Sequence, residues 1–127
     1  MSLYRYFASK NPLQTVMTLE EYHFGEQFEV LPCRQNPPIA AGGQIQKPNI
    51  YKVRGNKSET FLNQLVDYIK ENVEEQNRVE FWSIWHSEKV PSINIHRINP
   101  QQIIIEDLRF LNENENSCIK FFPENDK

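Results

Sequence analysis

The stretch SETFLNQLVDYIKENVEEQNRVEFWSIWH, residues 58–86, decides the fold. In its first two-thirds Phe61, Leu62, Leu65, Val66, Ile69 and Val73 recur at 3.6-residue spacing, while Asn63, Asp67, Lys70, Glu71 and Glu74 fall elsewhere. This predicts an amphipathic helix from Ser58 to about Gln76, with Gln76-Asn77 as its stop. Burying that stripe contributes on the order of 10 kcal/mol gross, before the entropy of ordering the side chains is subtracted. From Val79 the period becomes two. Val79, Phe81 and Trp85 then lie on one face of a strand running to His86, and Trp82 and Ile84 on the other. A strand that is apolar on both faces, next to one long helix, implies a sheet whose second face needs separate cover.

Working outward, Leu3 to Ala8 reads as a strand with Tyr4 and Tyr6 on one side and Leu3, Arg5 and Phe7 on the other. Further strands are expected at Phe28–Leu31, Asn49–Arg54, Ile93–Ile98 and Ser117–Phe122. Thr18 can cap a short helix that Glu20 and Glu21 favour through the helix dipole and that Gly25 ends. Ile105–Leu111 reads as a second short helix with Leu108 and Leu111 inward, unless Ile103–Ile105 extend a strand. The six-residue turn Ser87–Ser92 favours antiparallel pairing of the strands it joins, because a parallel crossover needs about a dozen residues or more. Pro32 to Pro48 carries four prolines and Gly42-Gly43 and keeps neither period, so it reads as an irregular loop. Together these elements predict one α+β domain over residues 1–127. Its mixed, mainly antiparallel sheet packs against one long helix, with one or two short helices besides.

Composition narrows the function classes. The 127 residues are 39% hydrophobic and 24% charged, and 14 basic against 17 acidic side chains leave a net charge of −3. That balance argues against a nucleic-acid binder, which needs a positive surface to displace counterions, and the longest basic cluster is Lys52, Arg54 and Lys57. The longest isoleucine run, Ile103–Ile105, falls far short of the ~20 apolar residues that span a bilayer. The opening Met1-Ser2-Leu3-Tyr4-Arg5-Tyr6-Phe7 lacks a signal-peptide core, so no membrane association and a cytoplasmic location are expected.

No chemistry-bearing motif stands out. His23, His86 and His96 have no second ligand at a metal-binding spacing, and His86 and His96 share a face only in a favourable register. Cys33 precedes Arg34, which could depress its pKa, but Pro32 flanks it and no partner base is evident. Gly42-Gly43 lacks the lysine, hydroxyl and helix of a phosphate-binding loop. No cofactor or metal is expected.

The residues expected to bind are Trp82, Ile84, Tyr4 and Tyr6, large apolar groups on the strand faces that one helix cannot cover. The leading expectation is therefore a non-catalytic protein-binding or regulatory module, with a protein partner or a second copy closing that face. One alternative is a small enzyme using the 32–48 loop with His86 or His96. The other is a carrier of a small apolar ligand. Convergent titratable groups in a cleft would mark the enzyme, a deep apolar pocket the carrier, and an open apolar surface the module.

Cys33 and Cys118 lie far apart in a chain without a cysteine framework, so both are expected as free thiols. Thiol titration of unreduced, unfolded protein should find both; finding neither would establish a bridge.

Overall fold

The computed structural model describes residues 3–16, 28–33, 45, 47–55, 59–85, 93–112 and 116–121. In it the period-two segments form β1 (Leu3–Ser9), β2 (Phe28–Pro32), β3 (Asn49–Gly55), β4 (Glu80–Trp85), β5 (Asn94–Ile98) and β6 (Ser117–Phe121). The helical segment forms α1 (Glu59–Asn72), and 3-10 turns occupy Glu75–Asn77 and Ile105–Asn112. The expected helix at Thr18–Gly25, the turn at Ser87–Ser92 and most of the Pro32–Pro48 loop lie outside the described residues.

α1 stops short of Gln76 because the chain tightens to reach β4. The Asn77 N–H donates to Glu74 O, and Arg78 takes a left-handed φ of 51°. Asn77 then anchors the end of β1, its carbonyl accepting from the Lys10 N–H and its side-chain Oδ1 from the Asn11 N–H.

One six-stranded sheet has the order β2-β3-β1-β4-β6-β5. Among the described residues every pairing is antiparallel except β5 with β6, which is parallel. The α+β class stands, but the expected β4–β5 pairing does not: β6 lies between them. Burial explains the insertion. Cys118, Ile119 and Phe121 of β6 are buried and point to both faces, as an interior strand requires, whereas Asn94, Ile95 and Arg97 of β5 are exposed. The link from β4 to β5 has only to step across one strand, about 10 Å, and needs no crossover helix.

α1 covers the face that carries Phe7, Phe28, Val30, Tyr51, Val53, Phe81, Ile119 and Phe121. Phe7 lies at the centre, 4.9 Å from the Phe81 ring centroid and 5.3 Å from that of Tyr68. Tyr68, outside the expected stripe, is buried as well and donates its hydroxyl to Gln14 O at 2.5 Å. The Tyr51 hydroxyl accepts from the Leu13 N–H at 2.9 Å. These two phenols hold the Leu13–Val16 segment down, and Val16 then bridges to Val30 along the outer edge of β2. Ile103 and Leu108 join the same core, and Arg109 ties their 3-10 turn to α1 through Glu59. Ile103 and Ile104 extend no strand, and the short helix begins at Ile105.

Leu65 is fully buried in the middle of α1. Alanine keeps the helix propensity there, so Leu65→Ala should cost about 2–5 kcal/mol through lost packing alone. A urea melt gives the value, and an unchanged midpoint would contradict the burial.

Candidate functional site

The structure brings together all four residues singled out on the second face. Tyr4 stands opposite Ile84 and Tyr6 opposite Trp82 across β1 and β4, and the Tyr4 and Tyr6 rings stack at 6.4 Å. The surface expected at Trp82 is nevertheless closed by the chain itself. Trp82 is 5% exposed, and Tyr6 and Ile84 are buried with it. Part of the cover is Ile45, from the irregular loop, with Cys33, Ile50 and Ile93 packed alongside. The Trp82 indole N–H donates to Glu80 Oε1 at 3.2 Å, so its polar edge is satisfied as well. Tyr4 is half-buried, with Lys52 Nζ 5.7 Å from its ring centroid.

The cover ends further along the same row. Tyr6 pairs with Trp82, Trp82 with Cys118 and Cys118 with Ile95, which puts the four side chains in line across β1, β4, β6 and β5. The first three are buried, and Ile95 is 54% exposed. β5 is also the last strand of the sheet. The Asn94 N–H donates inward to Asn116 O, and backbone groups alternate along a strand, so the N–H and C=O of Ile95 face the outer edge.

A polar row that sequence reasoning missed lies under α1. Arg5 pairs with Ser83 and Ser83 with Ser117, so the three side chains are neighbours on the helix-covered face. All three are buried. The Arg5 guanidinium carbon lies 5.0 Å from the Phe61 ring centroid. Its Nε and Nη2, and both serine Oγ atoms, are buried without a hydrogen-bond partner. Burial also pulls the Arg5 pKa below its ordinary value.

The residues of the enzyme reading do not assemble among those described. His96 is half-buried on β5, level with Ile119, while His23 and His86 lie outside the described residues. Cys33 is half-buried, and neither cysteine is in a disulfide. Burial, with a smaller contribution from Glu80, pushes the Cys118 thiol up to about 12, which leaves it protonated and unreactive. Among the described residues, no three of His, Cys, Asp and Glu gather as a metal site. A cavity of about 430 Å³ lies between the end of α1 and the segment after β5. Lys70, Glu71, Glu74, Asn99 and Gln101 make most of its lining, unlike a carrier's apolar pocket. Comparison with protein-family models, curated proteins and solved structures finds no match to this chain.

Two buried acids on the Trp82 face set an alkaline limit. Tyr6 is pushed up to about 12, chiefly by burial and then by Cys33 and Tyr4, and Cys118 rises to about 12 from 9.0. Both are held neutral in the fold, so their contribution is full below about pH 9 and is lost as the pH rises through about 12. Urea midpoints measured across that window should fall, and Cys118→Ala should flatten the fall even if it lowers every midpoint. An unchanged slope would remove Cys118 from this account.

Proposed function

We propose that this chain is a non-catalytic protein-binding module of the cytoplasm, and that it takes an extended segment of a partner protein along the outer edge of β5. The observation that carries the reading is Ile95, 54% exposed at the end of an otherwise buried apolar row. The outward N–H and C=O of the same residue offer a strand its first hydrogen bonds.

The two ends of the sheet differ in a way that supports this. Val16 bridges to Val30 at the β2 edge, whereas β5 has no described strand beyond it. Ile95 and Ile104 are the large hydrophobic residues that stand exposed among those described. The described residues thus offer little apolar surface for a stable homodimer, whose interface buries more than about 1,000 Å². Strand addition draws instead on main-chain hydrogen bonds, with pockets for alternate side chains, and suits a small patch. Among the described residues no helix is long and apolar enough to cross a membrane.

Ile95→Pro tests the reading, because it deletes an outward N–H and spares the inward ladder to β6. Peptides selected from a random display library against the wild-type chain should bind as added strands. Their affinity for Ile95→Pro should fall about tenfold or more, the scale of one to two lost hydrogen bonds, with the thermal midpoint unchanged. Peptides indifferent to the substitution would place the binding surface elsewhere. A concentration-dependent dimer of the wild type, absent in Ile95→Pro, would show the occupant to be a second copy and overturn the choice of a partner segment.

A further inference from the structure

We infer that the segment taken along β5 carries an acidic side chain two residues from a large apolar one, with the acid set beside Arg97 and the apolar group beside Ile95. This selection rests on β5 being the docking edge and names the kind of strand that edge accepts. The inward Asn94 N–H fixes the alternation along β5, so the main-chain groups of Ile95 and Arg97 both face outward. Their side chains share one face, because Ile95 stands level with Cys118 and Arg97 with Lys120. A strand added there bonds to these two residues and sets one side chain beside each, at a spacing of two. Both residues are exposed, which leaves room for that neighbour.

The row through Arg97 decides the charge that the neighbour brings. Ala8 stands opposite Glu80, Glu80 opposite Lys120 and Lys120 opposite Arg97, next to the row that ends in Ile95. Glu80 is buried and engaged through both oxygens. Its Oε1 accepts from the Trp82 indole at 3.2 Å, and its Oε2 lies 3.9 Å from Lys120 Nζ. Outward of Glu80 the row is positive, with Lys120 and Arg97 directly across from each other. Like charges so placed destabilise a sheet, and an opposite charge on the next strand offsets them. An Asp or Glu beside Arg97 therefore continues the row as minus, plus, plus, minus.

The other residue types fare worse at that position. A lysine or arginine would put a third cation in line. An apolar side chain would take water from the guanidinium and return no counter-charge. A charge on an open edge already discourages indiscriminate strand pairing, and here the same charge favours an acidic strand over the rest. Beside Ile95 the preference is reversed, since an apolar side chain there extends the buried row of Tyr6, Trp82 and Cys118 by one strand. The acid comes first in an antiparallel strand and second in a parallel one.

The test uses peptides selected from a random display library against the wild-type chain and kept only where Ile95→Pro weakens them. In that set Asp or Glu should be enriched two residues from a large apolar position, and affinity should fall as sodium chloride is raised. Replacing the acid of one such peptide by lysine should weaken its binding to the wild type about fivefold to tenfold. Arg97→Glu should restore the lysine peptide and weaken the original by a similar factor, the signature of a direct pair. Arg97→Gln, which should cost the original peptide about threefold, replaces the reversal should that variant fail to fold. Peptides that depend on Ile95 yet carry no acid at that spacing, or that bind Arg97→Glu unchanged, would overturn the charge selection and leave the edge reading standing. A library that yields no peptide sensitive to Ile95→Pro would overturn both.

Discussion

β4 carries large apolar side chains on both faces, and the rest of the structure answers to that constraint. Phe81 can be buried only if something covers one side of the sheet, and Trp82 and Ile84 only if something covers the other. The one long helix among the described residues lies on the Phe81 side. There the ring of Phe7 meets both Phe81 and Tyr68, and the apolar stripe of α1 closes over them. The Trp82 side has no helix among the described residues, and its cover includes single side chains such as Ile45, Cys33 and Ile93. Strand order obeys the same logic: β6, apolar on both faces, takes the interior place beside β4, and the more polar β5 is displaced to the edge.

The described parts of the two covers differ in kind. A helix is a continuous lid held by many contacts along its length, and the helix-side core extends from β2 to β6. On the Trp82 side the described cover is made of separate side chains, and burial stops between Cys118 and Ile95. The exposed end of the Trp82 row therefore marks where the cover of the second face runs out. It also explains why the candidate contact is Ile95 and not Trp82. The indole is fully used inside the chain, with its N–H on Glu80 and its ring in the second cluster.

Much of this was legible in the sequence, and the rest was hidden for physical reasons. The 3.6-residue stripe of Phe61 to Ile69 and the alternation in the strands located all six strands to within one residue at each end and α1 to within four, because both signals are local. The order of β4, β6 and β5 depends on which distant segments pair, and a short link such as the one after Trp85 permits more than one neighbour. Tyr68 looks like a flank of the helical stripe until its hydroxyl is seen to reach Gln14 O. Ile45 sits in an aperiodic loop, where nothing marks a residue as buried.

Arg5 was the least legible of all. In a strand reading Leu3-Arg5-Phe7, one charged residue on an apolar face passes for a solvated interruption, and serines at 83 and 117 pass for ordinary small polar residues. Only the register turns them into a row, since Arg5 must meet Ser83 and Ser83 must meet Ser117. The lid then turns the row into a buried one, by laying Phe61 against the guanidinium. A leucine at position 5 would serve that core better, because it would neither be desolvated at a cost nor leave donors unmet. A cation retained in the middle of a covered sheet face, beside two hydroxyls without partners, is therefore a cost that the apolar contacts on either side of the row must offset.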